Sequence, residues 1–153
     1  MGIFQFHPGG EAKYLPRATW REALQFPGAR QMQHLRALME SRPLLDRVPD
    51  QGLLSSSDLA DAERITATRA RDGSFAMIYT AAGKPFGVRL DRLSGKKIVA
   101  HWFDPRTGTA TPAGEHAVIY QKNFTPPAGG RENDWVLVLD DAARNYPPPG
   151  PKP

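Results

Sequence analysis

The stretch Lys96-Lys97-Ile98-Val99-Ala100-His101-Trp102-Phe103-Asp104-Pro105-Arg106-Thr107-Gly108 decides the fold. Side chains alternate along a strand, so Ile98, Ala100 and Trp102 share one face while Val99 and Phe103 share the other. Both faces are largely apolar, which places the strand inside a sheet. Asp104-Pro105-Arg106-Thr107-Gly108 then supplies a tight turn: Asp to bond the backbone, Pro at the second position, Gly where φ is positive. The second half of the chain therefore reads as all-β.

The same period of two governs the flanks from about residue 63 onward. Ile65–Ala70 and Ser74–Thr80 flank Arg71-Asp72-Gly73, a hairpin signal. Phe86, Val88 and Leu90 alternate with Gly87 and Arg89 as a half-exposed strand. Ser94-Gly95 turns into the strand quoted above, and Thr109-Ala110-Thr111 returns from its far end. Ala117–Phe124 is a further extended piece, closed by Pro126-Pro127. Ala128–Asn133 is a polar, Gly-rich loop. Trp135-Val136-Leu137-Val138-Leu139 is apolar on both faces and hence central. Roughly seven strands at spacings of about 8–12 residues predict an antiparallel β-sandwich.

The first third follows a different rule. Residues 1–18 read as irregular, broken by Pro8-Gly9-Gly10 and Pro16. Thr19-Trp20-Arg21-Glu22 fits a capping box that opens a short helix, with Glu22 reaching back to Thr19. Pro27 suits the first turn of a second helix over about residues 27–41. On it Ala29, Met32, Leu35, Leu38 and Met39 form one stripe, and Arg30, Gln33, His34, Arg36 and Glu40 face away. Ser55-Ser56-Ser57-Asp58 reads as a loop. Tyr146-Pro147-Pro148-Pro149-Gly150-Pro151-Lys152-Pro153 cannot form a ladder and reads as a disordered or polyproline tail. The predicted organisation is a helical segment over 1–50, a β-sandwich over 60–142 and a Pro-rich tail over 143–153.

The chain has 153 residues, a net charge of +4 and no cysteine, with a pI of about 9.6. Its positive charges are spread along both halves with no basic block, which is a weak basis for nucleic-acid binding. Without cysteine there are no disulfides, thiolate metal sites or Cys nucleophiles. No run approaches the roughly 18 apolar residues of a membrane span. Met1-Gly2-Ile3-Phe4 lacks the charged start and apolar core of a signal peptide.

Several pieces, taken in order, resemble one family. They are Trp20-Arg21-Glu22-Ala23-Leu24, Pro27-Gly28-Ala29-Arg30-Gln31-Met32, Leu35-Arg36, Ser41-Arg42-Pro43, Val48-Pro49-Asp50-Gln51, Ala67-Thr68-Arg69-Ala70, Asp72-Gly73-Ser74, Trp102 to Gly108, Phe124-Thr125-Pro126-Pro127 and Asp134 to Asp141. Together they are similar to the C-terminal region of apiosidase-like glycoside hydrolases. Those proteins join a (β/α)8 barrel to a β-sandwich described as the "putative collagen-binding domain of a collagenase". The resemblance spans about residues 3–142. It implies that Phe4-Gln5-Phe6 matches the end of the last strand-to-helix loop of the barrel, and residues 19–41 its last helices. The barrel strands that carry the catalytic carboxylates have no counterpart in this sequence. The expectation is therefore a non-catalytic accessory β-sandwich, preceded by a helical segment left from a barrel. It would support that barrel or bind a plant-type polysaccharide; the alternative is a protein-binding module with collagen as target. Such hydrolases are commonly periplasmic or secreted.

The residue inventory bears on each option. Glycoside hydrolysis needs two carboxyl groups about 5–9.5 Å apart in a cleft. Asp104, Glu132, Asp134, Asp140 and Asp141 are the candidates, but Asp104 is accounted for by its turn, and Asp140 and Asp141 end a strand. His7, His34, His101 and His116 lack ligand spacing, and His101 reads as a packed, hydrogen-bonded ring. A calcium ion on Asp134, Asp140 or Asp141 would lack the usual loop pattern, so no metal or cofactor is expected. Aromatic rings stack on sugars, and Tyr79, Trp102, Tyr120, Phe124 and Trp135 come into view. Trp102 and Trp135 read as core, whereas Tyr120 and Phe124, beside polar loops, are expected to be exposed for binding. Arg106, at its turn tip, could grip a carboxylate of an acidic ligand. Trp20, Leu24, Phe26, Met32, Leu35 and Met39 are expected to contact the barrel. Without one, they must fold onto the sandwich, pair with another chain or stay open.

Overall fold

The computed structural model of the chain describes residues 19–55, 63–130 and 132–150. The readings for residues 1–18, for Ser56-Ser57-Asp58 and for residues 151–153 lie outside them. The fold is mainly β and antiparallel, with a short helical segment in front. Thr19 caps helix α1 (Trp20–Ala23) in a complete capping box, and helix α2 runs over Pro27–Glu40 with Pro at its start. Eight strands follow: β1 (Arg47–Pro49), β2 (Ile65–Ala70), β3 (Phe75–Thr80), β4 (Phe86–Val88), β5 (Lys97–Asp104), β6 (Thr109–Ala117), β7 (Lys122–Phe124) and β8 (Trp135–Asp141). The ladder thus begins at Arg47, earlier than the boundary near residue 60 expected from periodicity.

Six strands form one sheet in the order β1-β2-β3-β8-β5-β6, and β4 and β7 form a second. The two strands read as apolar on both faces, β5 and β8, lie side by side, with Trp102 opposite Leu137 and Ala100 opposite Leu139. Their two faces feed two separate cores. Ile98, Ala100, Trp102, Trp135, Leu137 and Leu139 pack with Phe86, Val88 and Phe124 of the small sheet. Phe103, Val136 and Val138 pack on the opposite side with Met77 and with Leu38 of α2. The molecule is therefore layered: small sheet, large sheet, then helix.

The predicted turns are present. Gly73, at φ 76°, closes the β2–β3 hairpin, and the Asp72 carboxylate accepts from Ser74 N at 2.9 Å. Gly108, at φ 75°, ends the β5–β6 turn, its N–H donating to the Asp104 carbonyl at 2.8 Å. A side chain is strained at such φ values. β6 is an exposed edge, and it carries Pro112 and a register shift opposite Ala100/His101. Proline and bulges both blunt an edge against pairing with a stray strand.

Three expectations are corrected. Leu90 does not continue β4 but starts a 3-10 turn over Leu90–Arg92. β4 is buried along its length instead of half-exposed. The segment after residue 142, expected as a loose tail, packs back on the sheet up to Gly150. Tyr146 meets Phe75 edge-on at 6.3 Å, Pro149 is buried, and Gly150 lies against the Phe103 ring. Prolines form no ladder, but they can still cover apolar rings.

Candidate functional site

Two surfaces stand out: the outward side of the helices and the outer face of the small sheet. The helical surface begins with α2, whose C-terminal end is fastened while its N-terminal half is not. Leu38 is buried against the large sheet, and His34, expected on the polar side, instead covers Gly108 of the β5–β6 turn. Just past the helix, Arg42 is buried. Its Nε and Nη2 donate to the two carboxylate oxygens of Asp140 at 2.7 and 2.6 Å. Nη1 donates to the Ser41 carbonyl at 2.7 Å and Nη2 to the Pro147 carbonyl at 3.0 Å. The guanidinium also lies 4.7 Å from the Tyr146 ring centre. One side chain thus ties helix, central strand and C-terminal segment together, in the bidentate geometry that favours Arg.

Above that anchor the apolar groups are open. Trp20 and Met32 are each 55% exposed, and Leu24, Phe26 and Leu35 are exposed as well. Met39 differs from the expectation: it is half-buried, and its Sδ accepts from Arg47 Nη1 at 2.7 Å. It belongs to the joint between α2 and β1. Leu44 and Leu45, not singled out in the sequence, add further exposed apolar surface just after the helix.

The predicted ligand-binding residues separate. Phe124 is 5% exposed; it pairs with Phe86 across the small sheet and points into the core, so it is not a surface ring. Arg106 is not free to grip a ligand. Its Nε and Nη2 donate to the carboxylate of Asp104 at 2.8 and 3.0 Å, and Nη1 donates to Glu132 O and Asn133 Oδ1. The same guanidinium sits 5.2 Å from the Trp135 ring centre. Burial pushes the Asp104 carboxyl up, but the bonds from Arg106 and the Thr107 backbone outweigh it and hold it below the usual carboxylate range. Tyr120, by contrast, is 66% exposed.

Asp141 and Asp134 are engaged too. Asp141 accepts from Ser94 Oγ at 2.9 Å and from Ala143 N at 3.0 Å. Asp134 lies 3.4 Å from the Tyr79 hydroxyl, and burial followed by that carboxylate raises the Tyr79 phenol above its ordinary value. Trp102 and Trp135 are core residues, as read. His101, on the other face of β5, is buried near Asp140 and Arg42; among the described residues its Nδ1 has no partner, unlike the hydrogen-bonded ring expected. Burial, opposed by Asp140 and seconded by Arg42, lowers its pKa. Among the described residues, no group of three or more His, Asp or Glu could hold a metal ion, and no helix is long and apolar enough to cross a membrane.

The outer face of the small sheet carries residues that the sequence reading passed over. Leu53–Ser55 runs beside β4: Ser55 N donates to the Gly87 carbonyl at 3.1 Å, and Arg89 N to the Leu53 carbonyl at 2.8 Å. Ser55, Gly87, Asn123 and Gln121 thereby converge. Arg89 crosses the Tyr120 ring at 5.0 Å. The one available signal was Gly87 itself, a residue without a side chain between two inward-facing ones.

Comparison with known proteins follows the same division. Residues 1–46 match the family model described as "Apiosidase-like, catalytic domain", and residues 48–140 match "Putative collagen-binding domain of a collagenase". No curated protein sequence matches the chain. A solved structure titled "Glycoside hydrolase" superposes with a TM-score of 0.82 at 31% identity, over 93% of this chain and 32% of its own. A glycoside hydrolase family 5 protein from Bacteroides vulgatus ATCC 8482 superposes with a TM-score of 0.79 at 31% identity, over 86% of this chain and 29% of its own. The chain thus spans about a third of the length of these relatives. With residues 48–140 matching its model, the chain belongs to the family described as "Putative collagen-binding domain of a collagenase", here joined to an apiosidase-like segment.

Proposed function

We propose that this chain is a non-catalytic accessory β-sandwich that supports the barrel of a glycoside hydrolase through its helical segment. The observation that carries the proposal is the two-sided character of α2. Leu38 and His34 are committed to the sheet, while Trp20, Leu24, Phe26, Met32 and Leu35 present an apolar surface to solvent. An exposed patch of this kind marks an interaction surface. The apiosidase-like match of residues 1–46, which runs through both helices, supports a barrel as the occupant. The engagement of Asp104, Asp140 and Asp141 by neighbouring side chains supports a non-catalytic role, because a hydrolytic pair must be free to exchange protons with a substrate.

The test is co-purification. The chain is produced together with the barrel portion of the Bacteroides vulgatus relative, tagged on the barrel alone. We expect the two to elute together, and Leu35→Asp or Met32→Asp to separate them, since a charge would be buried unpaired at the contact. Separate elution of the unmodified pair, or co-elution indifferent to both variants, would remove the proposal. Collagen binding rests on the family's description and is an arm of the binding experiment below.

A further inference from the structure

On the outer face of the small sheet, away from the helices, polar groups gather without using one another. Gly87, which has no side chain, lets three polar side chains close in over the centre of β4. A Cβ built there would meet Ser55 Oγ, and would lie 2.9 Å from Gln121 Nε2 and 3.0 Å from Asn123 Oδ1. Ser55, Gln121 and Asn123 are exposed. Among the described residues, none of the three side chains donates or accepts a hydrogen bond. Beside them Arg89 Nε is buried without a partner, while its Nη2 is satisfied by Asp91 at 3.1 Å. Tyr120, 66% exposed, stands next to Gln121 in the chain with Arg89 against its ring.

We infer that this face is a binding platform for a neutral saccharide. The donor and acceptor set fits hydroxyl groups: an amide can donate and accept, and so can Ser and a sugar hydroxyl. The charge balance argues against an anion. The Arg89 guanidinium is paired with Asp91 at 3.1 Å, which neutralises it. The Tyr120 ring supplies the flat apolar surface on which a sugar's C–H face rests, in the same manner that aromatic rings serve other amphipathic ligands. Gly87 matters because any side chain there would push Ser55, Gln121 and Asn123 out of the positions in which they converge. The platform is distinct from the helix surface, so either site can exist without the other.

Affinity electrophoresis of the full chain in gels containing soluble xyloglucan, galactomannan or polygalacturonate, with fibrillar collagen pull-down alongside, tests this. Retardation by at least one neutral polysaccharide is expected. Tyr120→Ala and Asn123→Ala should each weaken it by about tenfold, the loss of roughly one stacking or hydrogen-bonding contact. Arg36→Ala, on the solvent side of α2, should leave it unchanged. Each variant is accepted only if its thermal melt matches the parent. Gly87→Val is a second probe, expected to abolish retardation. Retention by no neutral polysaccharide, retention indifferent to Tyr120→Ala and Asn123→Ala, or binding to polygalacturonate or collagen alone would overturn the inference.

Discussion

The two ends of this molecule spend their apolar residues differently. In β5 and β8, Ile98, Phe103, Leu137, Val138 and Leu139 are fully buried, because each face of the large sheet has its own cover. In α1 and the first half of α2, residues of similar hydrophobicity stand in solvent. Burial of a Leu or Met side chain stabilises by about 1.5–3 kcal/mol. That contribution is realised in the sheet and left unrealised in the helices. A sheet with two covered faces has little apolar area left to bury, whereas a helix fastened by its last turn keeps such area open for the contact proposed above.

The largest test of this contrast falls on the joint between the regions. Arg42→Ala or Asp140→Ala should each destabilise by about 3–5 kcal/mol in urea titrations, because each leaves a buried charge unpaired. The double variant should cost less than the sum. Equal, additive losses would mean that the pair does not act as a unit. Gly108→Ala comes next, at about 1–3 kcal/mol: its φ of 75° disfavours any side chain, and a methyl there would meet His34. An unchanged urea midpoint would show that α2 does not rest on that turn.

A smaller effect follows from His101. Its pKa is lowered in the folded state, chiefly by burial, so the unfolded chain binds the proton more readily. Stability is then full above the ordinary imidazole value and declines as pH falls from about 7 through 6.5 and below. Around the ring, Asp140 of β8 favours the proton and Arg42 opposes it. His101→Gln should flatten the urea midpoint between pH 7 and 5; an unaltered slope would assign the dependence to other groups. The smallest change is expected where the contrast is sharpest: Met32→Ala and Leu35→Ser should alter stability by no more than about 0.5 kcal/mol. A loss above about 2 kcal/mol would place these side chains in a core.

What could be read in the sequence followed from local rules. The capping box at Thr19, the Asp72-Gly73 hairpin and the two-faced strands each declare themselves within about ten residues, because hydrogen bonding and period are local properties. The failures share a cause. Arg106 was open until its contacts to Glu132 and Asn133 were known, and Arg42 gave no sign of Asp140, 98 residues away. Phe124 sits among polar neighbours, yet pairing with Phe86 turns it inward. Tyr146–Gly150 forms no ladder, and its packing on Phe75 and Phe103 is a matter of shape. The Gly87 platform is assembled from three chain segments, so no single window displays it.

Amide hydrogen exchange on the isolated chain, followed by mass spectrometry, tests the central contrast most directly. Fully covered strands open only with the whole fold, while a helix held at one end opens locally. We predict slow exchange throughout β3, β5 and β8, and exchange at least about a hundredfold faster in α1 and the first half of α2, by roughly 3 kcal/mol of opening free energy. Equal protection of the helices and the central strands would contradict the account, since it would mean that the helical segment needs no further partner to be stable.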